Sequence, residues 1–456
     1  MDRPNSGPNA SGGSFTSQRP PLAKRKFTSE AVEAKIQQVK NSIADPELAW
    51  LFENCFPNTL DTTVQPGELD GKPDTFVITG DINAMWLRDS SAQVWPYLPL
   101  ARDDRRLRNL LAGVIHRQSR CISIDPYANA FNFGPTGSEW DSDKTHMRPE
   151  LHERKWEIDS LCYPIRLAHG YWKVTGDGSV FDASWQRAMG LVLQTFREQQ
   201  RMDGRNPYSF QRQALNPTDS LPLGGTGNPS RPCGLINSGF RPSDDACILP
   251  YLVPSNLFAI TSLRQVSEIY SAELADKKMA NQCKALADQV SEAMEKYAKA
   301  RHPKHGEVYA YEVDGYGNQL FMDDANCPSL LSLPYLKACA VDDVVYQNTR
   351  ALVLGGDNPY FFHGSAGEGV GSPHTGMGAI WPLGIIMRAL TSRQEKEVAA
   401  CLATLKRTHA GTGFMHESFS PSNPREFTRP WFAWANTIFG EMIVNVQDRY
   451  PHLLEA

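Results

Sequence analysis

The sequence contains no C-x-x-C pair, and its nine cysteines are an odd number scattered between Cys55 and Cys401. That excludes the paired density of a secreted disulfide scaffold and the ligand spacing of a zinc site, and predicts mostly reduced, buried thiols. No run of about 18 apolar residues is present to span a membrane. The first residues lack the apolar core of a secretory signal, so a soluble, cytoplasmic protein is expected. Positive charge is not in excess either: the net charge of −5 removes any broad attraction to nucleic acid or to an anionic membrane. There is no P-loop, no G-x-G-x-x-G after a strand and no G-x-S-x-G elbow, and the glycines of "GSAGEGVGSPH" have the wrong spacing.

Strand signals are scarce. "DTFVITG" reads as one strand, and "GEVYAYEVDGYGNQLFM" as a hairpin turning at Asp314-Gly315. Residues 1–27, rich in Pro, Ser, Gly and Asn, bury too little apolar surface to offset their ordering entropy and are expected to be a disordered tail. From residue 28 to 456 a single domain is expected. About a dozen segments with apolar residues at helical spacing recur there, among them Pro46–Phe56, Arg88–Leu100 and Ile158–Val174, several opened by a Ser or Asp cap. Many helices without alternating strands argue against a doubly wound sheet. The lack of a short repeat argues against a solenoid, leaving a closed ring of paired helices whose loops carry the chemistry.

Four polar, aromatic segments fall between those helices. "VITGDINAMWLRDSSAQV" brings Trp86, Arg88 and Asp89 together. A guanidinium fork beside a carboxylate suits the vicinal hydroxyls of a sugar, and an indole suits its C–H face; the plainer alternative is an ion pair at a helix start. "SIDPYANAFNFGP" contributes Asp125 and can equally be a satisfied turn. "SGFRPSDDAC" sets Asp244 and Asp245 after Arg241. Adjacent buried carboxylates repel, so one can keep a proton near neutral pH, as a general acid requires; acids in a first helical turn can also simply complement the dipole. "GTGFMHESF…FTRPWFAWANTIF" places His416 and Glu417 among aromatic residues including Trp431, a composition suited to a sugar subsite with a carboxylate base. No second His completes H-E-x-x-H. "MDDAN" (Asp323, Asp324) echoes "SDDAC" and invites a magnesium-binding reading, but neither pair extends to a third acid.

These segments, with "FMDDANCPSLLSLPYL" and "GSPHT", resemble the motifs of glycoside hydrolase family 125, exo-acting α-1,6-mannosidases, from about Leu51 to Phe439. The resemblance implies an all-α (α/α)6 barrel with a few short strands or hairpins in its loops. It also implies hydrolysis of terminal α-1,6-linked mannose with inversion, and neither metal nor cofactor. Carried onto matching positions, it makes Asp244 the general acid and Glu417 the general base. Arg88, Asp89, Asp125, Arg241, Asp245, His374 and His416 are then candidates for holding hydroxyls, and Trp86 and Trp431 for apolar contact. Asp245 and the apolar wall are expected to raise the Asp244 pKa while Glu417 stays ionised. The expected partners are α-1,6-linked mannosides such as N-glycan or mannan fragments. A non-catalytic mannoside-binding toroid is the alternative; a lectin, however, needs no acid–base pair.

Overall fold

The structure, a computed structural model, describes residues 15–455. Its helices are α1 (Glu30–Ser42), α2 (Pro46–Cys55), α3 (Asn58–Thr62), α4 (Leu87–Val94), α5 (Arg105–Ile124), α6 (Ile158–Thr175) and α7 (Ala183–Gln199). They continue with α8 (Pro222–Gly225, a single turn), α9 (Val253–Ala272), α10 (Lys277–Tyr297), α11 (Val344–Val353), α12 (Pro382–Leu390), α13 (Glu395–Thr408) and α14 (Ala433–Arg449). Side-chain caps start many of them: Ser29, Asp104, Asp182 and Asp343 each accept a backbone N–H of the first turn, satisfying donors that a helix leaves free at its start.

The helices close into a ring. α4 packs on α6, α6 on α9, α12 on α14, and α14 back on α4. Between α9 and α12 lies a turn-rich segment, residues 325–337. Tyr163 of α6 donates to the Cys327 carbonyl at 2.8 Å, Thr261 of α9 donates to that of Lys337 at 3.4 Å, and Gly384 of α12 faces Ala325. Outside this ring α2 backs α14, α5 backs α4 and α6, α10 backs α9, and α13 backs α12. The inner position explains the burial: every residue of α4 is buried, polar ones included, as expected of a helix enclosed on all sides. This is the (α/α)6 arrangement.

Strands are confined to short pairings in the loops. Val64–Leu69 pairs with Lys72–Val77 around Asp70-Gly71, and Glu312–Val313 with Gln319–Leu320 beyond the Asp314-Gly315 turn. Ser418–Phe419 pairs with Phe427–Thr428, and Met85–Trp86 with Ala130–Phe131. The partner strand at 64–69 is hidden in sequence by Pro66 and Gly67.

Two expectations are corrected. The helix expected over Arg88–Leu100 stops at Val94 and tightens into 3-10 turns over Trp95–Arg102, because Pro96 and Pro99 cannot donate to the α ladder. Residues 15–27 are not a free tail but are seated on α1–α3. Arg19 donates to Glu33 at 2.9 Å and to Asp61 at 2.7 Å, and the Trp50 indole donates to the Thr16 carbonyl at 2.6 Å. The remainder of the expected tail, residues 1–14, lies outside the described residues. Of the nine thiols, Cys233 and Cys339 are partly exposed and the others buried. Among the described residues no helix is long and apolar enough to cross a membrane.

Candidate active site

The inner helices begin at one rim. Trp86 precedes α4, with Arg88 and Asp89 in its first turn; Glu157 precedes α6; Trp381 precedes α12; and Phe432 precedes α14. A cavity at this rim is lined by Trp86, Arg88, Asp89, Asp244, His374 and Glu417, together with Asn326, Trp381, Arg429, Phe432 and Trp434. Helix N-termini gathered here favour negative charge, and carboxylates are what the site holds. A larger, mostly apolar cavity of about 340 Å³ lies beside Trp95, Arg166 and Leu336, but Glu441 is the one carboxylate in its lining, so it holds no opposed carboxylate pair.

Asp244 sits in a tight turn with φ +66°, a left-handed conformation uncommon for a side chain other than glycine. The turn closes by Asp244 N–H donating to the Arg241 carbonyl at 2.9 Å and Arg241 N–H to that of Asp245 at 2.8 Å, while Lys155 Nζ donates to the Asp244 carbonyl at 2.8 Å. Local strain of this kind, on the order of 1–3 kcal/mol, is retained where the surroundings hold the residue. Here it points the carboxylate at Arg88 Nη2, 3.2 Å away, with Asn129 donating at 3.4 Å. Burial alone would raise the Asp244 pKa, but the charges of Arg88 and Lys155, a hydrogen bond with Glu157 and the charge of His374 outweigh it and hold the carboxyl well below its usual range. The expected upward push from Asp245 is therefore corrected. Asp245 turns away, accepting from Thr218 at 2.8 Å and from Ser243 at 3.4 Å, and lies 3.6 Å from His374.

Glu417 reaches the same cavity from a different loop. It stands one residue before the Ser418–Phe419 strand, 3.5 Å from Arg429, while its neighbour His416 stacks on Phe427 at 3.9 Å with 4° between the rings. Burial lowers the His416 pKa to about 4. Asp89 is pushed up to about 6 by burial, with Arg88 opposing and Asp244 adding to the rise. Burial would lower His374, yet the Asp245 carboxylate 3.6 Å away and the charges of Asp244 and Glu417 lift it to about 9.

The other sequence candidates stand behind this lining. Asp125 accepts from Arg154 at 2.7 Å and from its own turn at Tyr127 N–H. Arg241 donates to Glu312 at 2.6 Å, and Glu312 also accepts from the Ile248 and Leu249 amides. Trp431 packs over Gly80. None of these three lines the cavity, nor do Asp245 and His416. Asp323 and Asp324 accept from the amides of Leu330, Leu331 and Asn326 and from Ser372, so their oxygens serve the loop. Sequence reasoning missed Asn326, Trp381 and Arg429; Asn326 and Arg429 stand within motifs already singled out and Trp381 at the start of an expected helix, but nothing in residue type tells a lining position from a supporting one.

Residues 45–444 match the family described as metal-independent alpha-mannosidase (GH125). This chain belongs to that family. The GH125 chain is thus a glycoside hydrolase. It is 42% identical to the Meiotically up-regulated gene 157 protein of Schizosaccharomyces pombe over 96% of its own length and 90% of that protein's. A metal-independent α-mannosidase from Streptococcus pneumoniae, solved in a non-productive complex with α-1,6-mannobiose, superposes with a TM-score of 0.90 at 41% identity, covering 93% of this chain and 100% of that one. A bacterial glucoamylase complexed with acarbose shares the fold, with a TM-score of 0.57 at 11% identity over 94% of this GH125 chain and 58% of its own.

Proposed function

We propose that this GH125 enzyme removes terminal α-1,6-linked mannose from the non-reducing end of mannosides, with inversion, using Asp244 as general acid and Glu417 as general base. The supporting observation is that these two carboxyl groups, far apart in sequence, line one aromatic-walled cavity from separate loops. In an inverting glycosidase one carboxyl protonates the leaving oxygen while the other takes a proton from water on the opposite face of the sugar. The two stand roughly 6.5–9.5 Å apart to admit that water. Arg88 and Lys155 fix Asp244 in place, and Arg429 flanks Glu417. Trp86, Trp381 and Phe432 offer apolar faces for the ring. Asp89 and His374 are the lining groups placed to bind hydroxyls, and the streptococcal relative's complex with α-1,6-mannobiose supports the linkage.

The test uses α-1,2-, α-1,3- and α-1,6-linked mannobioses. Wild type is expected to release mannose from the α-1,6 isomer, and Asp244→Asn and Glu417→Gln to lose that activity while keeping the wild-type circular dichroism. Full activity in either variant removes that residue's role, and preference for another linkage removes the substrate assignment.

A further inference from the structure

A general acid must carry a proton, yet the cations around Asp244 hold its carboxyl low. Four carboxyl groups surround the single guanidinium of Arg88. Nη1 donates to Glu157 at 2.6 Å and to Asp159 at 3.2 Å, Nη2 donates to Asp244 at 3.2 Å, and Asp89 lies 3.5 Å from Nε. Glu157 and Asp159 are fully buried, and of the four only Asp244 has a side chain appreciably exposed, at 26%. Lys155 bonds the Asp244 carbonyl rather than its carboxylate, and His374 lines the same cavity beside Asp245, its charge acting on Asp244. So many buried acids on one cation cannot all be ionised, and at least one proton stays among them.

The hydrogen bonds indicate where. Glu157 Oε2 accepts from Arg88 and, at 2.7 Å, from Ser160, whereas its Oε1 is buried with no donor. Glu157 and Asp244 meet on the two terminal nitrogens of one guanidinium, Nη1 and Nη2, and two carboxyls so placed can hydrogen-bond each other only if one of them holds a proton. Burial raises the Glu157 pKa, Arg88 opposes, and the charges of Asp244 and Asp159 add to the rise.

We propose that Glu157 is the positioning residue that keeps the acid's proton: in the free enzyme it carries the hydrogen shared with Asp244, and it passes that hydrogen to Asp244 as the leaving oxygen is protonated. This rests on Asp244 being the general acid. The Glu157 O–H bond breaks as the Asp244 O–H bond forms, and that Asp244 O–H bond breaks in turn as the new hydroxyl on the leaving sugar forms. The Glu157 carboxylate so formed is held by Arg88 and Ser160. Meanwhile Glu417 takes a proton from the attacking water; it later loses it to solvent, which reloads the Glu157–Asp244 pair.

The test compares two substrates: α-1,6-mannobiose, whose leaving hydroxyl needs a proton, and 2,4-dinitrophenyl α-mannoside, whose leaving group does not. Glu157→Gln is expected to lower kcat on mannobiose by at least ~100-fold, the low end of acid–base catalysis, and to change the aryl mannoside rate only a few-fold. Its alkaline limb on mannobiose should move to lower pH, since Asp244 alone with Arg88, Lys155 and His374 gives up its proton earlier. Glu157→Asp keeps an exchangeable proton one methylene short; it should recover part of the mannobiose rate and, where the Gln variant does not fold, show the same division between substrates. Equal losses on both substrates with an unmoved pH profile would make Glu157 merely structural, and wild-type rates on both would overturn the proposal outright. Asp244→Asn run alongside separates the two ideas: if it also retains mannobiose activity, the acid assignment itself has failed.

Discussion

Asp89 offers a stability test of the site's electrostatics. It is buried in the first turn of α4, and its pKa rises from 3.8 to about 6. A carboxyl whose folded pKa lies above its unfolded value favours the folded state while protonated, below about pH 4, and that advantage is lost as the pH rises through the folded pKa near 6. At about 1.4 kcal/mol per pH unit, the rise corresponds to ~3 kcal/mol of destabilisation above about pH 7. Asn is close in shape to the neutral acid, so Asp89→Asn is expected to be more stable than wild type by up to ~3 kcal/mol at pH 7.5, with no gain at pH 4. Its mannosidase activity should fall, because the same group lines the cavity. Thermal and urea unfolding at the two pH values measure this. A variant less stable than wild type at pH 7.5, or a gain that persists unchanged at pH 4, would refute the reasoning.

Two further outcomes follow from the same geometry. His374, lifted to about 9, is a group whose raised pKa stabilises the fold below its unfolded value near 6.5 and stops doing so as the pH rises through 9. The stability difference between wild type and His374→Gln should therefore shrink between pH 6.5 and 9.5 in thermal melts, and KM for the mannoside should rise in the variant. Gly440 in α14 leaves no space for a side chain: a Cβ would stand 2.5 Å from Phe56 Cδ2 and 2.8 Å from its backbone Cα. Gly440→Ala should lower the melting temperature, overpacking of roughly 1–3 kcal/mol exceeding the ~1 kcal/mol gained in helix propensity.

Most of the ring was legible in the sequence because its signals are local. Ser29 and Asp104 announce their helices by residue type, and the apolar spacing of α5 and α10 marks one face. The short pairings were less so: two-residue strands such as Met85–Trp86 are imposed by tertiary contact with Ala130–Phe131 and leave no periodicity to read. In the site, the motifs carried Asp244, Glu417, Arg88, Asp89, His374 and Trp86 to one cavity. The charge state of Asp244 was misjudged because its neighbour in sequence, Asp245, is not the neighbour that matters; Arg88, Lys155 and Glu157 arrive from other elements. Asp125 and Arg241 look like hydroxyl-binding groups by type, but fold-specific partners, Arg154 and Glu312, occupy them. Arg25, within the expected tail, is likewise taken up, by Glu33 at 3.2 Å.

The central claim is that Asp244 and Glu417 act from opposite faces of one mannosyl ring, with a water molecule delivered on the glutamate side. Proton NMR of the first-formed sugar during hydrolysis of α-1,6-mannobiose tests it most directly. β-Mannose appearing before mutarotation is the predicted result, and α-mannose formed first would contradict it.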